Sequence, residues 1–219
     1  MDIASEERAL TNGASGSDAS RNDPFDRAAM ESAFREYFLT GPVREDWAAW
    51  SRLFTADATY HDHYWGTFHG PQEIQDFLEG TMSVASHVYS PLVWYVIDGP
   101  RIVYKVVNRA DNPEPGAEPI EFASLQVIER DATGTGWRSE DDWWVAAEMK
   151  AFTARYDDAV ARHGTPAPGV LSRADWGPWV DWARPGPGEQ PAPSWLGRTD
   201  VPHLWKRKDA TFGVRPAHG

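Results

Sequence analysis

Apolar positions first fall into a helical period behind Asp23-Pro24-Phe25-Asp26, where Met30, Ala33, Phe34, Tyr37 and Phe38 share one stripe. Asp23 can cap this helix, Pro24 suits its first position, and Asp26 stands where a capping-box acid would. Gly41-Pro42 ends it. A second, short helix is predicted over 44–54, with Trp47, Trp50 and Phe54 on one side. From Ala58 to Tyr64 polar and apolar residues alternate as in a strand, followed by a turn at Trp65-Gly66. Gly70-Pro71 opens a third helix that buries Ile74, Phe77, Leu78 and Met82. The period then falls to two, which predicts strands over 87–97 (interrupted by Pro91), 101–108, 119–129 and 137–145. Turns are placed at 98–100 and 131–136, and a loop at 111–116. A closing helix carries Met149, Phe152, Tyr156 and Val160 and stops at His163-Gly164.

This order of elements is α+β. Residues 1–24 are small and polar and are expected to form a mobile N-terminal tail, leaving 25–163 as the folded domain. Residues 164–219 are rich in proline and tryptophan and have little periodicity. Such an extension has no core of its own, yet Trp176, Trp179, Trp182 and Trp195 suit anchors packed on the domain or on a partner subunit.

Composition narrows the function. A net charge of −12 argues against nucleic acid and against an anionic membrane surface as partners. The chain has no cysteine, so disulfides and thiolate metal sites are excluded. Residues 1–20 lack the basic start and apolar run of a secretory signal, and the longest apolar stretch, 91–97, is too short to span a bilayer. A cytoplasmic location is the expectation. Twelve tryptophans suit a large aromatic core, or the lining of a cavity for a flat apolar ligand.

The densest chemistry lies in 55–70. Strand parity puts Tyr60, Asp62 and Tyr64 on one face and His61 and His63 on the other. A carboxylate between aromatics on an inner face loses water, which makes Asp62 a candidate proton acceptor. His61 and His63 could hold zinc with His69 or Asp62 as third ligand, but parity turns both away from Asp62 and no metal is assigned. A relay between His63 and Asp62 would need a bulge. Asp141 and Asp142 face opposite ways on a strand, so at most one enters a cavity, and a solvated turn exit is expected for the pair. Glu148 is read as capping or pairing at the start of the closing helix.

The pattern Trp47, Trp50, Leu53, Phe54, Asp57, Ala58, Tyr60, Asp62, then Trp65 to Phe68 and Gly70, resembles the nuclear transport factor 2-like superfamily, and within it the SnoaL-like proteins. The resemblance covers 25–163. It implies a cone in which a curved antiparallel sheet wraps three N-terminal helices around a mostly apolar cavity, with an irregular C-terminal extension outside it. It also implies a homodimer. In the ketosteroid isomerases of this superfamily a general-base Asp follows an Asp-Ala-Thr tripeptide, and Asp57-Ala58-Thr59 places Asp62 there. Tyr37 falls at the oxyanion-donating tyrosine when one inserted residue is allowed before Trp47. Gln126 falls at the second donor, a protonated Asp in those enzymes. Gln126 donates a hydrogen bond but does not titrate, which argues against steroid isomerisation as such.

The resulting expectation is a cofactor-independent small-molecule enzyme of isomerase, cyclase, dehydratase or hydrolase type. A cavity carboxylate would act as general base on an apolar polycyclic or aromatic ligand. Asp62, Tyr37, Tyr60, Gln126 and His63 are the catalytic candidates. Phe34, Trp50, Tyr64, Trp65, Trp94, Phe122, Ser124 and Trp144 are the candidate ligand contacts. The alternative is a non-catalytic ligand-binding or dimerisation module of the same fold, recognisable by a cavity filled with tryptophan side chains or by the extension.

Overall fold

The structure, a computed structural model, describes residues 23–165, 173–204, 207 and 209. The expected N-terminal tail lies outside these residues except for Asp23 and Pro24. Four α-helices and a six-stranded, curved, unclosed sheet make up the fold among the described residues. Helix α1 spans Arg27–Phe38, and its cap is Asp26, whose carboxylate accepts from the Ala29 N–H at 2.8 Å. Asp23 instead accepts from the Phe25 N–H one turn earlier. Gly41-Pro42 does not end the helix cleanly. Pro42 has no N–H to donate, and the chain widens into a π-helical turn over Leu39–Val43. Glu45, at φ 57°, then breaks the path before α2, Trp47–Ser51.

Strand β1, Phe54–Asp62, starts earlier and stops sooner than its alternation predicts, since the chain turns at His63 to enter β2, Gly66–His69. Helix α3, Gly70–Val84, follows. Strands β3 (Leu92–Asp98), β4 (Arg101–Ala110), β5 (Ile120–Arg130) and β6 (Trp137–Trp144) lead to helix α4, Ala146–His163. Sheet order is β2-β1-β6-β5-β4-β3. All neighbours are antiparallel except β1 and β6, which run parallel. The sheet is therefore mixed rather than wholly antiparallel, because β1 and β6 are joined through the whole intervening chain and not by a hairpin.

Two apolar clusters frame the interior. The larger joins α1, α2 and α3 to the inner sheet face through Phe34, Phe38, Trp50, Phe77 and Trp137; the smaller joins α4 to β4 and β5 through Ile120, Phe152 and Tyr156.

The C-terminal extension packs on its own chain. Trp182 lies against Phe34, Phe38 and Tyr95, and Trp195 is buried. Gly80 on α3 lets the extension approach closely, since a Cβ there would sit 2.9 Å from the Pro202 carbonyl oxygen. The Arg207 N–H reaches the Trp65 carbonyl at 2.8 Å. Beneath this strap Arg173 and Glu45 form an ion pair at 2.6 Å with both side chains almost fully buried. Removing one partner of such a pair strands the other charge. Arg173→Ala should therefore lose about 3–5 kcal/mol of unfolding free energy in urea. A double Glu45→Gln/Arg173→Met variant should recover much of it, because it leaves no unpaired charge. A loss below about 1 kcal/mol for Arg173→Ala, the size of an exposed pair, would remove this contact as an anchor of the strap.

Candidate active site

Between the two clusters lies a cavity of about 400 Å³. Its polar wall is assembled by sheet register. Tyr60 and Asp62 on β1 stand opposite Glu140 and Asp142 on β6. Asp142 is in turn opposite Gln126 on β5, and Gln126 opposite Tyr104 on β4. Alternation sends all six side chains to the inner face, and Tyr37 reaches them from α1. The rest of the wall is mostly apolar and includes Trp47, Trp50, Trp65, Phe77, Phe122, Trp144 and Phe152, with Leu204 contributed by the extension.

Two hydrogen-bonded groups divide this wall. In the first, the Tyr37 hydroxyl donates a short hydrogen bond to Glu140 and lies 3.1 Å from the Tyr104 hydroxyl. Tyr104 donates to the other Glu140 oxygen at 3.3 Å. Burial pushes the Glu140 carboxyl up to about 8; the tyrosine hydrogen bonds oppose the rise and the nearby Asp142 charge adds to it. Burial, reinforced by Glu140, holds the hydroxyls of Tyr37, Tyr60 and Tyr104 well above the usual phenol range, so all three are neutral donors.

The second group is a pair of aspartates. Asp62 is 3% exposed. Its Oδ1 accepts from the Tyr64 and Trp65 N–H groups, both at 2.7 Å, and its Oδ2 from the Trp144 indole at 3.1 Å. Asp142 Oδ1 accepts from the Gln126 amide at 3.0 Å and Oδ2 from the Tyr60 hydroxyl at 3.4 Å. Burial raises both carboxyls, and for Asp62 the three donors pull the other way. Asp142 is pushed up to about 8 by burial and then by the negative charge of Asp62. Two carboxylates so placed titrate as a pair. Three donors favour the charged form of Asp62, and the charge of Asp62 favours the protonated form of Asp142.

Of the residues named from sequence, Tyr37, Tyr60, Asp62, Gln126, Trp50, Trp65, Phe122 and Trp144 line the cavity. Ser124 is buried behind the wall, accepting from Gln126 at 2.7 Å. Phe34 does not line the cavity: it is fully buried in the main core, against Tyr104 and Trp182. Tyr64 supplies its backbone N–H, while its ring lies in the turn against Trp65 and Trp144 rather than on the cavity wall. Trp94 is exposed on the outer sheet face because, past the register shift that follows the buried Leu92, β3 turns Trp94, Val96 and Asp98 outward. His63 is also excluded from the cavity. It meets His61, Asp141 and Trp143 on the outer face: the register shift in β1 lies upstream, between Phe54 and Thr59, and pairing is regular from Thr59 to Asp62, so nothing brings His63 round to Asp62.

The expectation of a solvated exit for Asp141 and Asp142 is corrected. Asp141 faces out, and Asp142 enters the cavity. Glu140, Asp142 and Tyr104 were missed from sequence. A signal existed for two of them, because the parity that brings Trp144 inward also brings Asp142 and Glu140 inward. The run Ser139 to Asp142 reads as a solvated strand only while its neighbours are unknown.

Residues 33–138 match the sequence profile of the SnoaL-like domain. A search of curated proteins finds no significant match. Among solved structures, a protein with a ketosteroid isomerase-like fold from Catenulispora acidiphila, in complex with trimethylamine, is 17% identical; the alignment covers 64% of this chain and 96% of that one, with a TM-score of 0.41. An LEH-like epoxide hydrolase of M. tuberculosis is 16% identical over 61% of this chain and 96% of that one, with a TM-score of 0.47. SalBIII, an epoxide hydrolase/cyclase-like enzyme of pyran ring formation in salinomycin, is 16% identical over 56% and 95%, with a TM-score of 0.45. Such likenesses concern chain path and not chemistry. With its motif, its profile match and its curved sheet over a cavity, the chain carries a SnoaL-like domain.

Proposed function

We propose that this protein is a cofactor-independent acid–base enzyme acting on an apolar polycyclic or aromatic small molecule. The observation that carries the reading is the facing pair of aspartates on the cavity wall, one accepting from three donors and the other pushed up to about 8 by burial and by its neighbour's charge. Asp62 is the base that removes a proton from carbon or activates water. Asp142 is the acid that protonates a carbonyl or epoxide oxygen. The neutral hydroxyls of Tyr37, Tyr60 and Tyr104, which donate to Glu140 and Asp142 in this structure, stabilise negative charge developing at that oxygen when they turn to it. The wall's aromatic rings exclude water and hold a flat ligand, and a cavity of about 400 Å³ suits a molecule of several fused rings.

The experiment is a panel of fused-ring ketones, epoxides and quinones, read first by tryptophan fluorescence quenching and then by mass change. The double variant Asp62→Asn/Asp142→Asn should still bind and should not convert. Turnover equal to the parent in that variant would leave the pair without a chemical role. Binding with no conversion of any bound compound by the parent would favour the non-catalytic module.

A homodimer is part of the proposal. It rests on Trp94, Val96, Leu125 and Trp143, which are all exposed on the outer sheet face. Sedimentation velocity at micromolar concentration should give twice the chain mass; a monomer there would retire it. No helix among the described residues is long and apolar enough to cross a membrane.

A further inference from the structure

On the outer face of the sheet, behind the cavity wall, three side chains with metal-ligating atoms converge. His61 and Asp141 are register partners on the parallel strands β1 and β6, and His63 follows in the turn to β2. Their candidate ligand atoms all lie within 4.8 Å of one another. His63 is 8% exposed, and its Nε2 has no hydrogen-bond partner among the described residues although it lies 3.8 Å from Asp141 Oδ1. A buried imidazole nitrogen left unpaired and aimed at a carboxylate and a second imidazole calls for a cation between them. The His61 ring is already oriented, because its Nδ1 lies 2.8 Å from Thr67 Oγ1. With Nδ1 donating, Nε2 carries the free lone pair, as a ligating histidine requires.

We propose that His61, His63 and Asp141 bind one divalent transition-metal ion of the zinc class on the outer face of the sheet. Two imidazoles and one carboxylate match zinc's preference for nitrogen and oxygen donors, whereas calcium and magnesium favour all-oxygen sites. Tetrahedral bonds of about 2.0–2.2 Å set ligand atoms roughly 3.4 Å apart. Rotation of the half-exposed Asp141 side chain and of the two imidazoles would close the gap from the observed spacing, at most 4.8 Å. A fourth position is left for water. A carboxylate of Asp209 lies nearby, accepting from the Thr67 N–H at 3.1 Å, and adds negative potential. Sequence reading looked for the third ligand in His69 or Asp62; the parallel pairing of β1 with β6 supplies Asp141 instead.

The ion would act as a clasp and take no part in cavity chemistry, because strand alternation puts it on the opposite face. Its effect on the cavity is positional. His61 and His63 flank Asp62 in the chain, and Asp141 precedes Asp142, so one ion braces the backbone beneath both aspartates.

The test uses the full chain, dialysed against zinc and assayed by elemental analysis, with cobalt substitution as a spectroscopic probe. One zinc per chain is expected, with visible cobalt bands of a tetrahedral site and no thiolate charge-transfer band. Asp141→Asn, at an exposed side chain that leaves the fold intact, should weaken binding about tenfold or more, and His61→Ala should do the same. His69→Ala should leave binding unchanged. Zinc should raise the Tm of the parent and not that of Asp141→Asn. Absence of stoichiometric zinc in the parent, or an affinity in Asp141→Asn or His61→Ala as tight as the parent's, would overturn the proposal. So would loss of binding in His69→Ala.

Discussion

Replacing Asp142 by asparagine should lower kcat about 10²–10⁴-fold on any compound of the panel that is turned over, with KM little changed. Asparagine has nearly the same shape: its oxygen can still accept from Gln126, and its NH2 can donate to the Tyr60 hydroxyl once that hydroxyl turns, so the cavity stays formed. What it lacks is a proton to give. In the parent the acid form of Asp142 disappears as pH rises through about 8, so kcat should fall on that alkaline side. The variant's residual activity should lack this limb. Asp62→Asn should lower kcat comparably by removing the base. An Asp142→Asn protein with parental kcat and an unchanged alkaline limb would move the acid elsewhere, and Glu140 would be the next group to examine.

The second large effect needs no substrate. Between pH 6.5 and 9 the folded protein should lose stability as pH rises. Glu140 and Asp142 titrate near 8 when folded, well above ordinary carboxyl values, so across this range the native state binds more protons than the unfolded chain. Their stabilising contribution is complete below the unfolded carboxyl values and is lost as pH climbs through about 8. Each pKa unit is worth about 1.4 kcal/mol, which makes the combined effect several kcal/mol. The two groups interact, so their effects will not simply add.

Other groups act outside this window. His63 and His87, held neutral by burial, destabilise the fold as pH falls below about 6.5. Asp200, Glu189 and Asp209, whose pKa values are lowered by hydrogen bonds, do so only at acid pH. Melting curves followed by circular dichroism should therefore show Tm falling from pH 6.5 to 9, and Glu140→Gln or Asp142→Asn should flatten the slope. A parental Tm that holds level or rises over this range would mean that the two carboxyls ionise without cost. They would then not be the dry, proton-holding groups described here.

How much of this was legible beforehand differs element by element. The stripe of Met30, Phe34, Tyr37 and Phe38 located α1, and the Gly70-Pro71 start located α3, because an amphipathic period and a helix-opening proline act within one element. Strand parity in 60–62 correctly joined Tyr60 with Asp62 on the cavity side and set His61 apart. Parity failed at β6 only through an assumption about surroundings. Glu140 and Asp142 had the same inward phase as Trp144, but a charged run is normally solvated, and what made this one dry was the packing of other elements over it. Tyr104 carried no local mark at all.

The sequence by itself determined α1, α3 and α4, the alternation around Asp62, the SnoaL-like motif and the side of β1 on which Asp62 lies. Periodicity and turn chemistry are properties of neighbouring residues, so no partner has to be known to read them. Only the tertiary structure decided that β6 lies parallel to β1. That one pairing put Asp142 beside Asp62 within the cavity and Asp141 beside His61 behind it. Which residues become neighbours across a sheet depends on register between segments some eighty positions apart, and the Asp142 carboxyl is pushed up to about 8 only because those segments meet out of reach of water.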